Sequence, residues 1–219
     1  MSNVRQIAFD SIERLNKLAT TDAILSEMQR SCMSFGVENF CISGLPLPYE
    51  KLHPYILLSG WPEQWLTRYA DNGYVHTDPV IKFLRRADMP FAWSEAPYNR
   101  SDKGEARVMN EATEFGLVEG LAIPIYAVNG FQAVVTFGAR RLDLDKQRRA
   151  ALHLIAIYAH GRIREFLRKT NGEKESGPRR PTFRTGSIKD QSGRNRSRVR
   201  QRWFWWANPA SPSPFSYAR

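Results

Sequence analysis

The chain has 219 residues, 42% hydrophobic and 25% charged, which suits one domain with a sizeable core plus an appendage. No apolar run approaches the ~18 residues of a membrane span, and the N-terminus lacks a leader pattern, so a cytoplasmic protein is expected. The net charge of +10 is uneven: residues 173–219 hold 11 Lys plus Arg against 3 acids, or +8, which leaves +2 for residues 1–172.

Ile7, Ile12, Leu15 and Leu18 recur at three- to five-residue intervals and predict a first helix. Asp22 is the expected cap of a second helix, which presents Ile24, Leu25 and Met28 and ends near Gly36. Strands are expected through Phe40–Ile42 and Tyr55–Leu58. Pro62 then suits the first turn of a short helix carrying Trp65 and Tyr69 and closed by Asn72-Gly73. Asp78-Pro79 supplies cap and first-turn proline for another short helix, and Ser101 is the expected cap of a helix ending at Phe115-Gly116. "LAIPIYAVNGFQAVVTF" reads as two strands joined by a tight turn at Asn129-Gly130. A long last helix, about 143–169, carries Leu152, Ile155, Ala159, Ile163 and Phe166 along one stripe. Helices before and after an antiparallel sheet predict an α/β fold, an α-β-α sandwich, over residues 1–170.

Residues 171–219 differ in kind. From Glu173 onward there is no Leu and no Met, and Ile188 and Val199 are the only branched aliphatics. Such a stretch cannot bury enough apolar surface to offset its ordering entropy, so a disordered basic Ser/Pro/Arg-rich tail is expected. Arg194, Arg196, Arg198, Arg200 and Arg202 alternate in a way that would attract a polyanion, with salt-sensitive, sequence-blind contacts to DNA phosphates.

Signals for catalysis are poor: the chain lacks a Gly-rich phosphate loop, H-E-x-x-H and Gly-x-Ser-x-Gly. His153 and His160 lie seven apart without a third ligand, so no metal, no cofactor and no enzyme are expected. Cys32 and Cys41 sit among apolar residues and read as buried free thiols. On local grounds Trp65 and Tyr69, four apart, are core on one helical face, and Asp78 before proline is a helix cap.

The ordered set Trp65-x3-Tyr69-x8-Asp78-Pro79, Trp93 fifteen residues after the Asp, then "FGLVEGLAIPI" with Gly116, Gly120 and Pro124, resembles the autoinducer-binding domain of LuxR-type quorum-sensing regulators. The resemblance covers roughly residues 5–170. It implies a buried pocket for an N-acyl-homoserine lactone, with Trp65, Tyr69, Asp78, Val80, Trp93 and Thr136 as ligand contacts. The chemistry fits: an indole N–H donates only, which suits the lactone carbonyl, and a carboxylate accepts only, which suits the amide N–H. Trp61 stands where many members of that family carry a Tyr, and is a ligand contact by position. Pro79, Gly116, Gly120 and Pro124 are structural. The resemblance further implies dimerisation through the last helix and a helix-turn-helix domain of about 65 residues beyond the sensor. Residues 173–219, without Leu, do not fit such a domain. The sequence therefore predicts a sensor that antagonises full-length relatives through heterodimers, with tail-mediated DNA association as the alternative.

Overall fold

A computed structural model describes residues 4–127 and 130–170. Helices α1 (Val4–Lys17) and α2 (Thr21–Met33) precede strands β1 (Asn39–Gly44) and β2 (Ile56–Ser59). Two short helices follow, α3 (Glu63–Asp71) and α4 (Pro79–Leu84), then β3 (Phe91–Ala92) and α5 (Lys103–Glu114). The hairpin strands β4 (Glu119–Ala127) and β5 (Gly130–Ala139) lead into α6 (Lys146–Thr170). All pairings are antiparallel, in the order β2-β1-β5-β4-β3.

Successive side chains of a strand point to opposite faces, and here the two faces carry different residues. Phe40 and Ile42 of β1, Leu121, Ile123 and Ile125 of β4, and Ala133, Val135 and Phe137 of β5 share one core with α1, α2 and α6. From α6 that core takes Leu152, Ile155, Ala159 and Ile163, the predicted stripe, with Phe166 packed at its edge. A buried Glu27 joins the first two helices, accepting from Arg14 Nε at 2.8 Å. The opposite face presents Ala122 and Val134 to a second core built with α3, α4 and α5. This is the expected sandwich, and the second layer holds the candidate site.

Local chemistry moved three predicted helix starts. Thr20, not Asp22, caps α2: its backbone is extended and Oγ1 accepts from Ala23 N at 3.2 Å, leaving Asp22 in the first turn where its charge suits the helix dipole. Asp102, not Ser101, caps α5, its Oδ1 accepting from Gly104 N at 2.8 Å and Glu105 N at 3.1 Å. The last helix starts at Lys146, after Asp145 takes the N–H of Arg148 at 2.8 Å. Gly73 and Gly116, at φ +63 and +77, end their helices in the left-handed region that favours glycine. Pro124 sits in β4 beyond the two pairs that β3 makes, at Leu121 and Ala122, so its missing N–H breaks no bond on that side.

The strands on either side of the predicted Asn129-Gly130 turn pair as expected, down to Ala127 opposite Gly130, while Asn129 lies outside the described residues. So do residues 171–219, and with them the expected disorder and the arginines from Arg194 to Arg202. Both cysteines are buried and free. Burial pushes the Cys41 thiol up to about 12, against a hydrogen bond with Ser59. Among the described residues no helix is long and apolar enough to cross a membrane.

Candidate functional site

Pro62 and Glu63 start α3, and the four-residue spacing of Trp65 and Tyr69 turns both rings inward, where they are 2% and 3% exposed. The rings interlock. Tyr69 meets Trp61 edge-on at 5.3 Å between centroids and Trp65 at 5.5 Å, and Trp65 also packs on Phe115 at 5.5 Å. After the turn at Gly73 the chain reaches Asp78, which caps α4 because Pro79 cannot donate and Val80 N is free to bond its Oδ1 at 2.7 Å. Its other oxygen accepts from the Tyr69 hydroxyl, also at 2.7 Å. The cap predicted from Asp-Pro is therefore present, and the same carboxylate reaches into the layer beneath the sheet.

β3 delivers Trp93. Its register pairs Ala92 with Leu121, so the next residue lies over Gly120. A Cβ on Gly120 would stand 2.3 Å from Cε2 of that indole, and one on Gly138 would stand 2.9 Å from its Cη2. Two glycines on neighbouring strands thus form a seat for the Trp93 ring, which is the structural role of Gly120. Thr136, paired with Cys41 and Ala122 in the sheet, points from β5 to the same side. Ion pairs hold the helices over it: Lys82 to Glu105 at 2.8 Å joins α4 to α5, and Arg68 to Glu114 at 2.9 Å joins α3 to α5.

Trp61, Trp65, Tyr69, Asp78, Val80, Trp93 and Thr136, the seven candidate contacts, all line one cavity of about 40 Å³. Ile81 and Leu117 also face it, as do Val108, Met109 and Ala112 from α5, which sequence reasoning missed because their i, i+1, i+4 spacing is that of any core-facing helix. Three polar atoms around this cavity are buried without a partner among the described residues: the indole nitrogens of Trp61 and Trp93 and the hydroxyl of Thr136. Each such group costs about 1–3 kcal/mol. Burial pushes the Asp78 carboxyl above its ordinary range, against the hydrogen bonds from Tyr69 and Val80. Burial first, and then the charge of Asp78, push the Tyr69 hydroxyl well up, so it stays a donor. The arrangement can take a ligand with several carbonyl acceptors and one N–H. Among the described residues no group of three His, Cys, Asp or Glu side chains is placed to hold a metal.

Trp93 and Met109 also line a second space, a cleft of about 520 Å³ with Ala96, Val118, Leu142 and Leu144 in its walls and Arg100 and Arg149 among its polar residues.

The family model for the autoinducer binding domain matches residues 20–163. The transcriptional activator protein BjaR1 of Bradyrhizobium diazoefficiens is 35% identical over 164 residues, 74% of this chain and 68% of its own length. The HTH-type quorum sensing-dependent transcriptional regulator RpaR of Rhodopseudomonas palustris is 36% identical over 160 residues, covering 73% of this chain and 64% of its own length. The chain thus spans about two thirds of the curated relatives it matches, 68% and 64%. The crystal structure of the N-acylhomoserine lactone dependent LuxR family transcription factor CepR2 from Burkholderia cenocepacia shares the fold, with a TM-score of 0.59 at 23% identity over 74% of this chain and 96% of that one.

Proposed function

The chain belongs to the autoinducer-binding family of LuxR-type regulators, and on that premise we propose that the cavity beneath the sheet binds an N-acyl-homoserine lactone. The observation that carries this is that three buried donors without a partner among the described residues, on Trp61, Trp93 and Thr136, line one cavity together with Trp65 and the Asp78 carboxylate. The indole N–H of Trp65 donates to the lactone carbonyl, and Asp78 accepts the amide N–H. Trp61 and Thr136 donate toward the amide carbonyl, Trp93 and Tyr69 wall the ring, and Val80 packs on the acyl chain. The carboxylate already accepts one bond at each oxygen, from Tyr69 and Val80, which fixes its rotamer and leaves lone pairs for the ligand.

Binding couples to stability. A ligand that satisfies these groups stabilises the fold by RT ln(1 + [L]/Kd), about 2.7 kcal/mol at one hundred times Kd. The free cavity of about 40 Å³ holds only about three waters at ~10–15 Å³ each, so the walls part to admit the ligand. The test is purification from cells grown with a panel of acyl-homoserine lactones, followed by mass spectrometry of the extracted small molecules. The parent retains one of them in equal molar amount and Asp78→Asn retains none; equal retention by both refutes the role given to Asp78.

The regulator would be a cytoplasmic dimer that binds its ligand without catalysis. Leu154, Ile157, Tyr158 and Gly161 recur at i, i+3, i+4 and i+7 on the outer side of α6, with the first three 39%, 44% and 45% exposed, which supports dimerisation through this helix. Residues 173–219 contain no Leu, which supports the reading that this stretch does not supply a helix-turn-helix. A heterodimer in which only the relative carries such a domain would present a single reading head and lose most of its specific affinity, which is the basis of the antagonist reading. The alternating arginines support the other reading, non-specific DNA association. A gel shift on a paired half-site operator, at two salt concentrations, separates them: antagonism predicts loss of the relative's complex, and tail binding predicts a salt-sensitive shift on any sequence.

A further inference from the structure

The cavity is too small for the ligand class proposed above, and its walls are not equally able to yield. Trp61, Trp65 and Tyr69 are locked in one aromatic cluster, and Tyr69 is tied to Asp78 at 2.7 Å. The Trp93 ring, by contrast, makes neither a hydrogen bond nor an aromatic pair among the described residues, and its Nε1 is buried without a partner. Packing on the glycine seat is what holds it. Beside it stands Met109, whose unbranched thioether chain re-packs at low cost. Both residues have cavity on one side and the 520 Å³ cleft on the other. An indole that leaves the seat moves into existing space, whereas Trp65 and Tyr69, at 2% and 3% exposure, move into packed core.

The geometry points to Trp93 and Met109 as a gate, and to the cleft behind them as the route by which a small molecule reaches the cavity. The inference rests on the ligand reading only for the identity of what passes. Val118, 46% exposed, and the exposed Ser94 line the cleft but not the cavity, so a large side chain at either narrows the route without touching the binding groups.

The test uses the whole chain and two probes. In stopped-flow fluorescence with N-hexanoyl-homoserine lactone, Val118→Trp and Ser94→Trp each slow association and dissociation by about tenfold together and leave Kd within about twofold, the mark of a barrier without a change in site. In the second arm, Val108→Cys places a thiol in the cavity wall and its reaction with methyl methanethiosulfonate is followed by peptide mass spectrometry on the unliganded protein. Added Val118→Trp or Ser94→Trp slows that labelling by about tenfold, and added Trp93→Ala speeds it by a similar factor. Labelling unaffected by plugs that leave the circular dichroism spectrum unchanged overturns the gate. The thiol arm decides the matter even where no lactone binds, so a failure of the ligand reading is distinguishable from a failure of the route.

Discussion

The two faces of the sheet use the same strands for opposite purposes. Toward α1, α2 and α6 the strands point Phe40, Ile42, Leu121, Ile123, Val135 and Phe137, all 0–1% exposed, and the space is filled. Toward α3, α4 and α5 the intervening positions are Cys41, Ala122, Val134 and Thr136, with Gly120 and Gly138 under Trp93, and a cavity remains. One face is built from volume that stabilises; the other is built from small residues and unpaired donors, which lower stability until a ligand supplies the missing partners. A period-2 strand makes the two jobs separable, since neighbours in sequence never share a face.

Neighbouring substitutions on β5 break or sharpen that contrast most directly. Phe137→Ala empties a fully buried site in the filled core and is expected to cost about 3–5 kcal/mol in urea unfolding, with or without ligand. A smaller loss makes that face less decisive than its packing implies.

Among the described residues the filled side carries two buried polar atoms without a partner, Arg162 Nε and His160 Nε2, both on α6, and the histidine makes that side sensitive to pH. His160 of α6 is 7% exposed, its Nε2 has no partner, and burial together with the charge of Arg164 brings its pKa down to about 4. A histidine whose folded value lies below its ordinary 6.5 gives stability that is present above pH 6.5 and lost as pH falls through 4. At about 1.4 kcal/mol per pH unit the loss is about 3 kcal/mol, and His160→Leu should flatten the urea midpoint across that range. Asp78 acts in the opposite sense, because its raised value makes ionisation costly as pH rises. The difference between parent and His160→Leu removes it from the comparison.

One residue before Phe137, the expected sign reverses. Thr136→Val deletes an unpaired buried hydroxyl and should stabilise the unliganded protein by about 1 kcal/mol while weakening lactone binding several-fold, read by urea titration and calorimetry. Trp61→Phe has the smallest effect expected, a few tenths of a kcal/mol in the free protein, because removing the unpaired N–H favours the fold while the smaller ring gives up packing on Trp65 and Tyr69, and the two offset. Destabilisation by Thr136→Val would mean that the hydroxyl has a partner after all.

The filled face was the easier to read. Leu152, Ile155, Ala159 and Ile163 repeat at helical spacing, and the hairpin strands are long apolar runs, so periodicity alone finds them. Trp65, Tyr69, Asp78 and Trp93 were legible as a spaced set, and the structure brings all four to one cavity. What spacing could not show is the seat: Gly120 and Gly138 belong to different strands, and only the register of β3 sets Trp93 above them. A two-residue β3 carries too little pattern to announce itself. The caps were misplaced by one or two residues for a related reason, since Thr20 and Asp22, or Ser101 and Asp102, are all able to cap, and backbone geometry chooses between them. The cavity's size follows from ring orientations that no linear spacing encodes.

The central claim is that the small-residue face is a ligand site whose acceptor is Asp78. The most direct measurement is the urea midpoint of the parent and of Asp78→Asn, each with and without a saturating acyl-homoserine lactone. The parent should gain about 2.7 kcal/mol at one hundred times Kd, and Asp78→Asn should gain nothing while remaining folded, since Asn also caps helices. Equal gains in the two proteins, or none in the parent with any lactone of the panel, would contradict it.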